Sequence, residues 1–294
     1  MEFPYHVVDV FTTTPMQGNA LAVFPDATGM DSVTMQRVAR ELNLSETTFI
    51  LPRESRDGAT RVRIFTPASE LPFAGHPTIG TAFIMRHLGI VDAGAQNFAL
   101  SENVGRVPIR VDAGDDPILW LTTPPIRKLA EFSRERCARA LSLGADRLAP
   151  GVPCEQLSAG SPLIFVAVRD RADVDAVQLD GAIYSDLVRP SREPTSIFVF
   201  ARTGDGAYSR MFAPQFGIIE DPATGGATGP LAAFMMKHGL VANGDGTRFV
   251  SEQGVKMGRR SVLHVLIHGE GGCDGIEVGG NVVHVARGTM ELPL

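Results

Sequence analysis

The sequence predicts an α+β fold made of two similar halves, and three observations support this prediction. Short apolar runs rich in Val, Ile and Phe alternate with Gly, Pro, Asp and Asn, which is typical of strands separated by turns. Segments with helical spacing of apolar residues are fewer. One set of motifs occurs twice in the same order, about half a chain apart. A chain of 294 residues is also long for a single core and comfortable for two domains.

Eight apolar runs are predicted strands, because Val, Ile, Phe and other strand formers dominate them. These predicted strands cover residues 5–10, 20–24, 61–65, 118–122, 163–168, 196–200, 262–268 and 282–286. Four segments are predicted helices, since each has an N-terminal cap, a first-turn proline or a glycine just after its last residue. These predicted helices cover residues 31–42, 77–88, 133–143 and 230–238.

The repeat joins a strand to a helix through a glycine turn in each half. The first copy reads RIFTP at 63–67, ELP at 70–72 and GHPT at 75–78, and the second reads RMFAP at 210–214, EDP at 220–222 and GGAT at 225–228. Solenoid repeats span ~20–50 residues, so this spacing indicates a duplicated domain. A seam near residues 122–127 predicts domains of 1–126 and 127–294, with the last strand as a candidate to return to the first half. We expect the matched Glu70 and Glu220 to hold structure by pairing with Arg63 and Arg210.

The composition excludes several classes of partner. The formal net charge is −6 and no basic run occurs, so a nucleic acid is not an expected ligand. No apolar stretch reaches the ~18 residues that a membrane span needs, and the N-terminus lacks the pattern of a signal peptide. The cysteines Cys137, Cys154 and Cys273 are odd in number and lack metal-ligand spacing. We therefore expect reduced thiols and a cytoplasmic protein.

Each copy of the repeat places glycines just before a helix. Glycine lets the backbone approach a ligand closely, and the first N–H groups of a helix have no partner within that helix. Because the helix dipole adds partial positive charge at this end, two such turns facing each other predict a site for an anion, most simply a carboxylate. The alternative is that the two turns merely start helices. The matched register of the turns favours the anion site.

Three titratable residues lie in or near these features. Glu46 follows a helix and enters a strand, where partial burial raises a carboxyl pKa towards neutrality and suits the group to take and return a proton. His76 lies inside the first glycine turn, and Asp221 lies just before the second. Each has a simpler interpretation: a surface or capping glutamate, a structural histidine, and an aspartate in an Asx turn before proline.

Other chemistries find little support in the sequence. It contains no P-loop, GxSxG nucleophile elbow, HExxH pair or dinucleotide-binding fingerprint. The remaining histidines are scattered along the chain without the spacing of metal ligands: His6, His87, His238, His264, His268 and His284. We therefore expect no metal site.

Taken together, the motifs resemble the phenazine-biosynthesis PhzF-like family. The motifs that carry the resemblance are Phe11 with Gly18 and Asn19, LSETTF at 44–49, RIFTP at 63–67, AGHPT at 74–78, DPATGG at 221–226 and VGGN at 278–281. They span the chain in the family's order. The resemblance implies a diaminopimelate epimerase-like fold with two pseudo-symmetric domains. Each domain is then a curved mixed β-sheet wrapped around a central α-helix, and the active site lies between them.

The resemblance also implies an activity: isomerisation of trans-2,3-dihydro-3-hydroxyanthranilate, or of a similar small carboxylate, with no metal and no organic cofactor. The implied catalytic residues are Glu46, His76 and Asp221, with Glu46 as the acid/base that moves a proton between two carbons. The implied substrate contacts are Asn19, Ser45, Gly75, Gly225 and Gly226. A homodimer is the expected assembly.

One position departs from the family pattern. The phenazine enzymes usually carry serine after the glycine of DPATG, whereas this chain has Gly226, so a hydroxyl donor is absent there. Neither turn contains a cysteine, which excludes a two-thiol racemase mechanism at these turns. Two alternatives stay open: an amino-acid epimerase or racemase of the wider fold, and a binding or scaffold protein that keeps the fold without the chemistry.

Overall fold

The computed structural model of the protein describes residues 1–114, 116–204, 206–272 and 275–292. Within these ranges, eighteen strands form one continuous hydrogen-bonded sheet. The strands before residue 126 are β1 (Glu2–Val10), β2 (Asn19–Phe24), β3 (Glu46–Ile50), β4 (Thr60–Phe65), β5 (Glu70–Leu71), β6 (Asn97–Glu102), β7 (Gly105–Val111) and β8 (Leu119–Thr122). The later strands are β9 (Arg127–Phe132), β10 (Cys154–Ser158), β11 (Pro162–Val168), β12 (Ser196–Thr203), β13 (Gly206–Ala213), β14 (Ile218–Asp221), β15 (Arg248–Gln253), β16 (Ser261–His268), β17 (Gly275–Gly280) and β18 (Val282–Glu291).

The strands β1–β8 and β10–β17 repeat one pairing pattern. In the first set, β1 and β2 are antiparallel, β2 and β3 parallel, β3 and β4 antiparallel, and β4 and β6 parallel. The second set repeats these four pairings in the same order with β10, β11, β12, β13 and β15. The predicted α+β fold with two similar halves is therefore confirmed.

Strand pairings between the two halves join them into one sheet. β8 pairs antiparallel with β17, so the sheet runs from one half into the other without a break. β18, the last strand, pairs antiparallel with β1, whereas β9 pairs with β10. The last strand thus lies in the sheet of the first half. A domain boundary between residues 126 and 127 stays a prediction.

The described residues form six α-helices. They are α1 (Ser32–Leu42), α2 (Gly75–His87), α3 (Arg134–Ala140), α4 (Arg171–Ala176), α5 (Gly181–Val188) and α6 (Gly225–Lys237). The predicted start of the last helix at residue 230 is wrong, because α6 begins at Gly225 and Pro230 lies inside it. Proline removes the hydrogen bond to the carbonyl four residues earlier and its ring crowds that carbonyl, but tertiary packing of the buried helix offsets this cost. α2 likewise begins two residues before the predicted Pro77.

The helices α2 and α6 are the centres of the two cores. Nearly every side chain of each helix is buried, as a helix enclosed by a sheet requires. Ile79 and Met85 of α2 pack into the core of the first half, and Leu231 and Phe234 of α6 pack into the core of the second. None of the helices within the described ranges is both long and apolar enough to cross a membrane.

The matched acidic residues hold the repeated hairpins. Arg63 donates from Nε and Nη2 to the two carboxylate oxygens of Glu70 at 2.8 and 2.6 Å. Arg210 binds Glu220 in the same way, with both bonds at 2.8 Å. The predicted pairing is confirmed, and its fork geometry fixes each hairpin just before the glycine turn.

The N-terminal ends of α2 and α6 meet between the halves. A Cβ on Gly75 would lie 2.3 Å from the backbone carbonyl carbon of Gly225, so only glycine permits this approach. Phe11 packs against this contact, because a Cβ added to Gly225 would lie 2.8 Å from the Phe11 ring. The Phe11 backbone has φ +65°, an uncommon value for a bulky residue, and hydrogen-bonds to Asn281 and Val262 of the second half.

A Gly75→Ala substitution tests this contact. The added methyl group collides with backbone that cannot turn away, so we expect a loss of about 1–3 kcal/mol in the free energy of unfolding. Gly226→Ala is the matched control, since a Cβ there meets nothing closer than 3.5 Å. Chemical denaturation of both variants measures the difference. Equal stability of the two variants would contradict the contact.

Candidate active site

A pocket opens where the first turns of α2 and α6 meet. The part of it that admits a water molecule has a volume of about 50 Å³. The polar side of the pocket comprises Glu46, His76, Asp221, Thr224 and the glycines of both turns. Hydroxyl side chains of Thr66, Ser161 and Ser196 also line it, and large apolar side chains come from both halves: Leu71, Phe73, Leu163, Met211, Phe216 and Ile218. Of the described residues, no lysine or arginine lines the pocket, so backbone N–H groups and hydroxyl groups are the donors available to an anion there.

The three predicted catalytic side chains lie together in this pocket. Glu46 begins β3, His76 is the second residue of α2, and Asp221 ends β14. All three are buried, with 7%, 2% and 4% of their surfaces exposed. The interpretation of Glu46 as a surface glutamate is therefore wrong. The three residues are far apart in the sequence, and the meeting of the two halves brings them together.

Asn19 links the two turns behind the pocket. Its amide nitrogen donates to Asp221 Oδ1 at 2.7 Å and to the Ala223 carbonyl at 2.9 Å, and it lies 3.1 Å from His76 Nδ1. The Ala223 carbonyl can only accept, which identifies the Asn19 atom as the nitrogen. Both hydrogens of that nitrogen already have acceptors and the nitrogen itself cannot accept, so a proton on His76 Nδ1 would face it without a partner. A neutral His76 therefore carries its proton on Nε2.

The Nε2 atom of His76 faces Glu46. It lies 3.3 Å from Glu46 Oε2, outside hydrogen-bond geometry, and both atoms are buried without any hydrogen-bond partner among the described residues. Unpartnered polar atoms in a buried place are costly, so a ligand that pairs with them is strongly favoured. The two atoms thus form a polar place beside the glycine turns that no described side chain satisfies.

Burial sets the charge states of the three groups. It raises the pKa of Glu46 well above its usual range, and the negative charge of Asp221 raises it further. Burial lowers the pKa of His76 to about 3, so this ring is neutral near pH 7. Burial also raises the pKa of Asp221 to about 6, although hydrogen bonds from Thr224, Asn19 and Ser45 favour its ionised form. Burial thus favours the protonated form of Glu46, while Asp221 is mostly ionised near neutral pH.

The second turn has supports that the sequence did not reveal. Thr224 donates to Asp221 Oδ2 at 2.5 Å, and Gln253 accepts from the Thr224 backbone N–H at 3.1 Å. The Gln253 amide also donates to the Asp221 carbonyl at 2.7 Å. No spacing in the sequence marks Gln253, because its role depends on the backbone groups that it faces in the folded chain.

The predicted substrate contacts fall into two groups. Gly75, Gly225 and Gly226 line the pocket, with the glycine backbones facing it. Asn19 and Ser45 lie behind Asp221 and act on its carboxylate. The structure thus brings all five near the reacting groups. Their contact with a substrate stays a prediction.

The remaining histidines are not all scattered in space. His6 Nδ1 lies 3.0 Å from His284 Nε2, and the His87 ring stacks on that of His284 with 5.3 Å between centroids. Even so, in the described part of the chain no group of three or more His, Cys, Asp or Glu side chains is arranged to hold a metal. Cys137 and Cys154 are free, buried thiols in a core cluster of the second half, and Cys273 lies outside the described residues.

Comparison with known proteins agrees with this geometry. A family model described as phenazine biosynthesis-like protein matches residues 8–288. The chain belongs to this family. The trans-2,3-dihydro-3-hydroxyanthranilate isomerase of Pseudomonas aeruginosa is 36% identical over 291 residues, covering 98% of this chain and 99% of the relative.

Solved structures of the phenazine biosynthesis-like family share the whole fold. A predicted epimerase from Pseudomonas aeruginosa is 32% identical, with a TM-score of 0.84 over 99% of this chain and all of the other. A PhzF-family protein from Bacillus anthracis is 23% identical, with a TM-score of 0.86 over the same shares. With named isomerases among its relatives, this member of the family is an isomerase.

The protonation of His76 can be measured without a substrate. We expect its ring to remain neutral, with the proton on Nε2, as the pH falls from 8 to 5, because burial keeps its pKa near 3. Nitrogen-15 spectra of histidine-labelled protein distinguish the two neutral tautomers and the charged ring. The His76→Asn variant assigns the signal by its loss. A His76 ring that became charged between pH 6 and 7, or carried its proton on Nδ1, would contradict the assigned hydrogen bonds.

Proposed function

We propose that this isomerase moves a proton between two carbons of a small carboxylate substrate, with Glu46 as the acid/base. The observation that carries the proposal is the unpartnered pair of Glu46 Oε2 and His76 Nε2, buried beside two converging helix ends. A carboxyl group of raised pKa both accepts and releases a proton near neutral pH. The chemistry needs no electron acceptor, since the proton taken from one carbon returns at another.

The substrate carboxylate binds, in this proposal, at the first turns of α2 and α6. The leading backbone N–H groups of each helix are free for a ligand, and the two helix dipoles add favourable charge. The apolar walls from Leu71, Phe73 and Met211 suit a hydrocarbon ring or chain. Trans-2,3-dihydro-3-hydroxyanthranilate, the substrate in the name of the relative from Pseudomonas aeruginosa, has this chemistry and is the first compound to test.

Glu46 and Asp221 titrate as a pair in this mechanism. Asp221 stays ionised and raises the pKa of Glu46 through its charge. The ionised form of Glu46 removes the proton from the activated carbon and then returns it as the acid. His76 donates from Nε2 to a polar group of the substrate, which stabilises charge that develops as the proton leaves.

A Glu46→Gln variant tests the acid/base. Glutamine keeps the size of the side chain and removes the proton acceptor, so turnover should fall ~100-fold or more. The measurement is deuterium uptake from D₂O into trans-2,3-dihydro-3-hydroxyanthranilate and its product, followed by mass spectrometry.

Glu41→Gln, on an exposed position of α1, is the charge-matched control. Thermal-shift titration with the substrate checks that Glu46→Gln still binds. Exchange within a few-fold of wild type in Glu46→Gln would refute the assigned role. Binding without exchange by the wild-type chain would favour the scaffold alternative, and exchange at the α-carbon of free amino acids would favour the epimerase alternative.

Asp221→Asn tests the coupling of the two carboxyl groups. Removing the charge of Asp221 lowers the pKa of Glu46, so its ionised form persists to lower pH. We expect the acid limb of the kcat/KM profile to move to lower pH in the variant, whatever the loss in maximal rate. The pH–rate profiles of the two proteins give the comparison. A limb that stays in place, or moves to higher pH, would show that Glu46 does not sense Asp221.

A further inference from the structure

Glu102 is a buried acid outside the pocket, at the end of β6. It is only 4% exposed, and the mechanism above does not use it. Its Oε1 atom lies 2.5 Å from Thr78 Oγ1, in the first turn of α2. Its Oε2 atom is buried without a hydrogen-bond partner among the described residues. An ionised carboxylate with one bare oxygen would be strongly disfavoured here.

The hydrogen bonds of Thr78 indicate which group donates. Thr78 Oγ1 lies 2.7 Å from the carbonyl oxygen of Ala74, the residue just before α2. A carbonyl oxygen only accepts, so the single hydroxyl hydrogen of Thr78 goes to Ala74. The short contact with Glu102 then requires a hydrogen on Glu102. A protonated Glu102 therefore donates to Thr78, and Thr78 donates to Ala74.

The duplicated fold supplies an independent comparison. The parallel pairing of β4 with β6 matches that of β13 with β15, and this register aligns Glu102 with Gln253. Gln253 is a neutral side chain that binds Thr224, the residue just before α6. The two halves thus place a hydrogen-bonding side chain under each helix start. One is an amide and the other is an acid.

The surroundings of Glu102 contain few charges. The positive charge of Arg61 on β4 favours the ionised form of Glu102. The guanidinium of Arg61, however, donates to the Ser101 carbonyl and to Asn103. Glu70 on β5 is paired with Arg63 and accepts from Asn103. On α2, the neighbouring ionisable group is the neutral His76. Burial outweighs the effects of Thr78 and Arg61 and raises the pKa of Glu102 to about 8.

We propose that Glu102 is a positioning residue, which as a neutral acid donates to Thr78 and thereby fixes the first turn of α2 that carries Gly75 and His76. Ionisation of Glu102 forces Thr78 to turn its hydroxyl hydrogen towards the carboxylate. The Ala74 carbonyl then loses a hydrogen bond, and the first turn loosens. The inference concerns the support of the pocket, and only its activity measurement rests on the proposed function.

Thermal unfolding between pH 5 and 9 tests the protonation of Glu102. The folded chain keeps the Glu102 proton up to about pH 8, while the unfolded chain releases it near pH 4–5. The stability due to this proton therefore falls as the pH rises from 5 to 8. Glu102→Gln keeps the donor but has no proton to lose. The Tm of Glu102→Gln minus that of wild type should rise by several degrees between pH 5 and 8 and then level off.

Glu41→Gln is the control, and its Tm difference from wild type should stay constant over the same range. A constant difference for Glu102→Gln as well would overturn the proposal. Carboxyl carbon-13 spectra of wild-type protein labelled at glutamate provide a second measurement that does not depend on how the variant folds. A titration of Glu102 near pH 8 supports the proposal, and one near its ordinary pKa, about 4.3, overturns it.

Activity above pH 8 separates positioning from a purely structural role. We expect wild-type kcat/KM for deuterium exchange to decline as Glu102 ionises, and that of Glu102→Gln to decline several-fold less. Identical alkaline limbs would overturn the positioning role. If the wild-type chain exchanges no substrate deuterium, the proposed function fails, and the unfolding and carbon-13 measurements still decide the state of Glu102.

Discussion

The geometry of the pocket depends on the close contact between the starts of α2 and α6. Gly75 and Gly225 leave no room for a side chain between α2 and α6, so the backbone ends of both helices converge on one volume. The same contact closes the space around Glu46, His76 and Asp221 and removes them from water. Because no cation lines that volume among the described residues, burial has the largest effect on the pKa values of all three groups. The proposed anion site and the raised pKa of Glu46 thus have one structural origin.

The two halves share a fold but differ in chemistry. The first turn contributes His76 and rests on an acid, whereas the second contributes Asp221 and rests on the amide of Gln253. Asn19 connects both turns through one amide nitrogen. Gly226 leaves room for the serine hydroxyl that the family pattern places there, since a Cβ would meet nothing closer than 3.5 Å. The difference at this position is therefore one of chemistry and not of space.

Much of the architecture could be predicted from the sequence because duplication is visible in it. The repeated Arg, Glu and Gly positions identified both glycine turns and both ion pairs, and the apolar runs located eight strands. Strands such as β6, β10 and β15 were missed, since buried polar residues that bind partners in their own half interrupt their apolar pattern. The short helices α4 and α5 lack the length over which helical periodicity can be recognised.

The site was only partly visible in the sequence. Glu46, His76 and Asp221 stood out because they belong to motifs, but Glu102 and Gln253 lie where two separate segments meet. Their role depends on which backbone groups they face, and no spacing in the sequence encodes that. The start of α6 was misplaced for a related reason. Proline commonly marks a helix start, yet α6 already begins at Gly225, because the buried glycine-rich turn before Pro230 is itself helical.

The pairing of β18 with β1 couples the completion of the two halves during synthesis. β1 leaves the ribosome before the other described strands, but one of its two edges stays open until β18 has been made. The first half therefore presents an unpaired strand edge throughout translation of the second, which is a condition that favours association with other chains. Protection of that edge by the folding machinery of the cell would matter more for this topology than for one whose halves close separately.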